Sequence, residues 1–198
     1  MASPKEQTIL EVAKCLSQRH LNKDSLVKLL KQAESALSGF GQALSPREVV
    51  RQLRESLVKN DLLRHKDKDV KLLIAACVSE IIRLLAPEPP FSDKLFEGIF
   101  RLFISIFSDL ADTASPYFTR RARVLKVVAD VKCCLLMLDI GCMDLVLEMF
   151  RVFFSAVRED HQPSLFQSMV SIMSDLLEEN SPQSLLDVIL RNLLKDSK

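Results

Sequence analysis

Residues 70–86 carry apolar side chains around most of a helical circumference: Val70, Leu72, Leu73, Ile74, Ala75, Ala76, Cys77, Val78, Ile81, Ile82, Leu84 and Leu85. Only Lys71, Ser79, Glu80 and Arg83 interrupt them. A surface helix needs one apolar stripe, so a helix that is apolar nearly all round must be covered on several sides. A stack of helical repeats does this, because the inner helix of one repeat is covered by its own partner and by both neighbouring repeats. A compact all-α bundle is the structural alternative.

The rest of the chain also reads as helix after helix. Ile9, Val12, Ala13 and Leu16 fall at i, i+3, i+4 and i+7, which predicts a first helix over about 6–19. Leu26, Leu29, Leu30, Ala33 and Leu37 repeat the spacing, and Gly39 and Gly41 are candidate stops. Ser45-Pro46-Arg47-Glu48 has the form of a capping box with proline at the first helical position. Ser115-Pro116 and Ser181-Pro182 repeat that start signal. Further helices are predicted near 69–86, 92–111, 115–139, 142–159, 163–179 and 182–195, with Gly141 and Asn180 as stops. No run alternates with strand period. The three Ser-Pro starts stand 70 and 66 residues apart, room for about two helical hairpins each at ~40–47 residues per repeat. The expected fold is an all-α, HEAT-like helical-repeat solenoid. Residues 1–198 are expected to form a single region of it, the N-terminal part of a longer one.

Several function classes find no support in the residues. Lys plus Arg is 27 against Asp plus Glu at 26, so no global field marks a nucleic-acid binder. The first 71 residues carry a balance of +5 and the remainder −4. Cys15, Cys77, Cys133, Cys134 and Cys142 are odd in number and lack zinc spacing, which points to free thiols in a reducing compartment. His20, His65 and His161 stand in polar neighbourhoods at helix ends or loops, where solvent exposure or helix-dipole compensation is the ordinary explanation. Glu159-Asp160 and Glu178-Glu179 read as solvated caps. Four scattered glycines do not build a phosphate loop. No apolar run reaches membrane-spanning length, and the start MASPKEQT lacks a targeting pattern. The expectation is a soluble intracellular protein without enzymatic activity, cofactor, metal or small-molecule substrate. Arg120, Arg121 and Arg123 are candidates for weak phosphate contacts, although 100° per residue points them in different directions.

Three stretches carry a more specific signal: HKDKDVKLLIAACVSEIIRLLAPEPPFSDK at 65–94, LFISIFSDLADTASPYFTRRARVLKVVADVKCCLLMLD at 102–139, and DLVLEMFRVFFSAVREDH at 144–161. Together they resemble the amino-terminal region of the cohesin-associated sister chromatid cohesion proteins, the "precocious dissociation of sisters" family. NKDSLVKLLKQ at 22–32 and KCCLLMLD resemble the plant members most. The resemblance covers about residues 7–195. It implies a non-catalytic, nuclear, chromatin-associated regulator that works in the cell cycle and in DNA repair. Its partners would be the cohesin complex and its release or maintenance factors, with chromatin reached indirectly. The family's kleisin-binding surface is built largely from later repeats, so that activity is not carried over in full. The family's A-P-[DE]-A-P peptide-docking motif would here be Ala86, Pro87, Glu88, Pro89 and Pro90, with Pro89 where the family usually has Ala. The competing classes are a helical-repeat module that binds nucleic acid directly and an interaction scaffold unrelated to cohesin.

On the residues alone a connector is the ordinary reading; three fixed φ angles also leave little entropy to lose on binding, and the resemblance shifts the weight to a recognition role. As a connector, the same stretch ends one helix at Pro87 and starts the next at Ser92, with Phe91 and Phe96 placed as a hydrophobic staple. A charge reversal, Glu88→Lys, is expected to weaken binding of partner peptides while leaving helicity and melting temperature nearly unchanged. Circular dichroism and a peptide titration on the same sample check this. Normal binding, or unfolding, would remove the docking assignment.

Overall fold

The computed structural model describes residues 2–18, 21–41, 46–59, 61–180 and 182–193, with the side chain of Leu193 excepted. Among these, ten α-helices form and no residue is in a strand. Contacts divide the chain into two compact units, Met1–Ile99 and Phe100–Lys198.

The first unit holds α1 (Pro4–Leu16), α2 (Lys23–Ser38), α3 (Arg47–Lys59), α4 (Lys68–Leu85) and the start of α5 (Asp93–Phe107). α1 packs on α2 and α3, and both α2 and α3 pack on α4. α4 is the helix that the sequence marks as apolar all round, and residues from every side of it are buried, including Ser79 and Glu80. Burying Glu80 requires a partner, and Arg83 Nε supplies one at 2.7 Å. Arg83 also donates to Phe40 O at 3.0 Å and Leu37 O at 3.4 Å. It thereby satisfies carbonyls at the end of α2 and places a cation at the negative end of that helix. Lys5 Nζ donates to Gly39 O at the same end, at 2.8 Å.

Helix starts follow local chemistry. α1 begins at Pro4 rather than near residue 6, because Ser3 and Glu6 form a full capping box around a proline at the first helical position. α4 is capped by Asp67, whose carboxylate accepts from the amides of Asp69 at 3.0 Å and Val70 at 3.2 Å. Lys23 of α2 pairs with that same carboxylate at 2.6 Å, so one side chain both starts α4 and ties it to α2. The capping box expected at Ser45 lies outside the described residues, as do Ser181 and His20.

The second unit holds the rest of α5, a 3-10 turn (Ser108–Ala111), α6 (Phe118–Asp130), α7 (Leu136–Asp139), α8 (Met143–Ala156), α9 (Pro163–Glu179) and α10 (Gln183–Leu193). α6 packs on α9, and α8 packs on the 3-10 turn, α7, α9 and α10. The helix predicted over 115–139 is three elements. It starts at Phe118, and it breaks at Lys132, which adopts the left-handed conformation at φ 52° before a second 3-10 turn (Cys133–Leu135). Lys132 Nζ reaches Asp175 of α9 at 2.7 Å, which fixes the break against a neighbouring helix. Gly141 ends α7 as expected. Its φ is +72°, Cys142 N donates to Met137 O at 2.8 Å and Gly141 N donates to Leu138 O at 3.0 Å, the paired bonds of a Schellman cap.

His161 corrects the expectation of solvent exposure. It is buried, its Nδ1 accepts from Arg158 N at 3.3 Å, and its Nε2 lies 2.9 Å from Leu110 O. Because Nδ1 accepts, Nε2 carries the proton and donates to Leu110. The ring therefore connects the α8–α9 loop to the 3-10 turn. Cys77, Cys133 and Cys134 are buried free thiols, and Cys15 and Cys142 are half-buried. The neighbouring Cys133 side chain, followed by burial, holds the Cys134 thiol well above its ordinary pKa.

The Asp67 cap has a pH signature. The hydrogen bond from Lys23, followed by the Val70 amide, lowers its carboxyl below the ordinary 3.8. A depressed folded-state value means that the stabilisation is present above pH 3.8 and is lost as pH falls through the lower folded value. Asp67→Asn is expected to melt below the parent at pH 7, with the gap closing as the pH drops under the ordinary carboxylate range. Thermal melts across pH 2–7 check this, and a gap that stays constant would contradict it.

Candidate docking site at the end of α4

α4 ends where its backbone can no longer continue. Ala86 is extended (φ −52°, ψ 145°), as a residue before proline must be, and the Ala86–Pro87 peptide is cis. Ala86 N still donates to Ile82 O at 3.0 Å, and Glu88 N donates to Leu85 O at 3.1 Å, so the segment folds back over the last turn of α4. Pro87, Glu88 and Pro89 are exposed, Ala86 is half-buried and Pro90 is buried. Phe91, 7% exposed, meets Phe96 edge-on at 5.7 Å between ring centroids, which is the predicted staple. Ser92 O accepts from Leu95 N and Phe96 N, both at 2.9 Å, and opens α5.

Three arginines of α3 hold this segment. Arg47, Arg51 and Arg54 stand at i, i+4 and i+7, one face of a helix. Arg47 Nη2 donates to Ala86 O at 3.0 Å, and its Nη1 lies 3.3 Å from Glu88 Oε1. Arg51 Nη2 donates to Glu88 Oε2 at 3.1 Å. Arg54 Nη1 donates to Pro90 O at 3.0 Å. The ladder thus grips the segment at its start, middle and end. Proline supplies no amide donors, and the carbonyls it leaves unpaired are taken up by guanidinium groups.

Beside the ladder lies a groove of about 450 Å³ between α3 and the start of α5. Val58, Pro90, Phe91 and Leu95 line it together with Arg54, Glu55, Lys59 and Ser92. Its size and lining suit an apolar side chain. The sequence reading identified the proline segment but missed the ladder and the groove. The only local signal for the ladder was the helical spacing of arginine in REVVRQLR, which stands one helix before the acidic, proline-rich turn, 36–39 residues away in the chain.

The second set of candidate residues lies near the start of α6. Arg121 is 12% exposed and committed internally, with Nη2 2.9 Å from Asp109 Oδ2 and Nη1 3.2 Å from Ser115 Oγ. Arg123 is exposed and Arg120 half-buried. Among the described residues, no group of three His, Cys, Asp or Glu side chains is placed to hold a metal ion, and no helix is long and apolar enough to cross a membrane.

Residues 24–198 match the family model described as sister chromatid cohesion protein PDS5. The chain is 42% identical over 197 residues to sister chromatid cohesion protein PDS5 homolog A of Arabidopsis thaliana, covering 98% of this chain and 12% of that protein. It is 42% identical over 179 residues to homolog D of the same plant, covering 88% and 22%. A chain in a solved structure of the Pds5–Scc1 complex superposes with a TM-score of 0.78 at 25% identity, over 88% of this chain and 26% of that one. The fold is accordingly the HEAT-like, all-helical class expected from the pattern of α4. The chain spans about an eighth to a fifth of the length of these curated relatives.

The ladder alters the expected effect of Glu88→Lys. The new ammonium would face Arg47 and Arg51, so that variant tests repulsion as well as docking. Glu88→Gln is the cleaner change. Glu88 is 62% exposed, and its loss of charge is expected to cost less than about 1 kcal/mol. Arg54→Met removes a donor to a buried proline's carbonyl and is expected to cost about 1–3 kcal/mol. Urea denaturation of the two variants checks the order, and a larger loss for Glu88→Gln would contradict it.

Proposed function

The chain belongs to the family of sister chromatid cohesion PDS5 proteins, and from that premise we propose that it is a docking module of a cohesin regulator. The family is one of non-catalytic cohesion regulators. In our reading the protein acts in the nucleus on chromatin-bound cohesin. Its Ala86, Pro87, Glu88, Pro89 and Pro90 dock short peptide motifs of cohesin release or maintenance factors.

The observation that carries this reading is the pinned but exposed segment. A docking edge must be held without being covered. The α3 ladder takes the backbone carbonyls of Ala86 and Pro90, while Pro87, Glu88 and Pro89 face outward. Rigidity of this kind reduces the entropy lost on binding. A carboxylate has about four acceptor sites, so Glu88 can serve two arginines of its own chain and still accept from a donor in a peptide. The adjacent groove would take an apolar side chain of the same peptide. Pro89, where the family usually has alanine, adds a ring on the exposed face and would shift peptide preference.

Fluorescence anisotropy with labelled peptides from cohesin release and maintenance factors tests the reading. Glu88→Gln is expected to weaken binding about tenfold, the loss of one charge-assisted contact. Pro89→Ala is expected to change the ranking among peptides without abolishing binding. Unchanged affinity in both variants would contradict the docking assignment. Salt-sensitive binding of DNA that maps to Arg120 and Arg123 would favour a nucleic-acid module instead.

A further inference from the structure

The geometry points to Ser115 as a phosphorylation site for a proline-directed serine kinase, with Arg121 as the phosphate's built-in partner. Ser115-Pro116 lies in the turn between the 3-10 turn (Ser108–Ala111) and α6, and it does not act as the predicted helix cap. α6 starts three residues later at Phe118, with no side-chain cap on its N-terminus. The Ser115 hydroxyl is used differently. Its Oγ accepts from Tyr117 N at 3.3 Å and from Arg121 Nη1 at 3.2 Å. Ser115 is half-exposed, and Ala114, Pro116 and Tyr117 beside it are exposed. A serine on an accessible turn, followed by proline and already facing a guanidinium, has the features that a kinase and a phosphate respectively require.

The reaction is phosphoryl transfer from a nucleoside triphosphate held by the kinase. Ser115 Oγ loses its proton to the kinase's base and bonds to the terminal phosphorus. The bond from that phosphorus to the bridging oxygen breaks, and the diphosphate leaves. The product replaces a neutral hydroxyl with about −1.5 to −2 charges on the side of Arg121 that faces the turn. Arg121 already donates to Asp109 through Nη2 at 2.9 Å, and its guanidinium lies 5.9 Å from the Tyr117 ring centroid. The phosphate therefore joins an existing arginine–carboxylate pair and competes with Asp109 for the cation. Asp112, whose carbonyl accepts from Ser115 N at 3.3 Å, is exposed on the same turn and adds like charge. Modification consequently redistributes the contact that holds the 3-10 turn to α6.

A second Ser-Pro pair in the described residues has the opposite surroundings. Ser3 Oγ accepts from Glu6 N, and Glu6 Oε2 reaches back to Ser3 N, so a phosphate there would meet a carboxylate and break a capping box. The dipeptide is the same, but the neighbouring charge differs in sign.

The test incubates the intact chain with a proline-directed serine kinase and magnesium ATP, then locates phosphate by fragment mass spectrometry. The expected result is phosphate on Ser115 in the parent, none at that position in Ser115→Ala, and incorporation reduced to near background in Pro116→Ala. Phosphorus NMR then titrates the modified serine. Arg121 is expected to hold its second ionisation about one unit below the ordinary value of about 6. Arg121→Gln returns it to the ordinary value, and Asp109→Asn, which frees the guanidinium, lowers it further. Circular dichroism confirms that each variant is folded, and Asp109→Asn remains informative if Arg121→Gln does not fold. Incorporation at Ser115 only after denaturation, or a titration that Asp109→Asn leaves unmoved, would overturn the assignment.

Discussion

The first unit depends on covering α4. A helix with so little polar surface has no side on which it can meet water, and α2 and α3 supply the cover. Polar side chains serve both ends of α4. Asp67 caps its start and pairs with Lys23, while Arg83 satisfies buried Glu80 and the last carbonyls of α2. Placing α3 on α4 has a structural consequence. It brings one face of α3 alongside the point at which prolines end α4, so the arginines on that face can hold the segment that follows.

This arrangement resolves a conflict in the segment's chemistry. Prolines make residues 86–90 stiff and end the helix, but they leave carbonyls without amide partners nearby. Arg47 and Arg54 donate to two of those carbonyls, and Arg47 and Arg51 neutralise Glu88. The connector and docking roles are therefore compatible. Phe91 and Phe96 pin the join on its buried side, and Pro87, Glu88 and Pro89 are left facing outward.

Much of this was legible in the sequence. The all-round apolar pattern of residues 70–86 gave the fold class, because burial on every side demands helical neighbours. The staple followed from the spacing of Phe91 and Phe96, and Gly141 marked a stop that needs positive φ. Other features depended on contacts distant in the chain. The break at Lys132 carries no glycine or proline, and it is paired with Asp175, 43 residues away. His161 looked solvated in a polar loop, yet it bonds to Leu110 O, 51 residues earlier. Ser115 looked like a cap, but Arg121 and the Tyr117 amide take its hydroxyl. Local pattern identifies elements that bury themselves. It does not identify which distant side chain completes a polar group.

The central claim is that residues 86–90, held by α3, form the docking edge of a cohesin regulator. Its most direct test is an NMR map of the isotopically labelled chain titrated with a peptide from a cohesin release factor. The account predicts that the largest shifts fall on the carbonyl and side-chain carbons of residues 86–90 and on the guanidinium signals of Arg47, Arg51 and Arg54. It also predicts that the Phe96 amide moves little. Shifts confined to α6, or spread without a maximum in the proline segment, would contradict it.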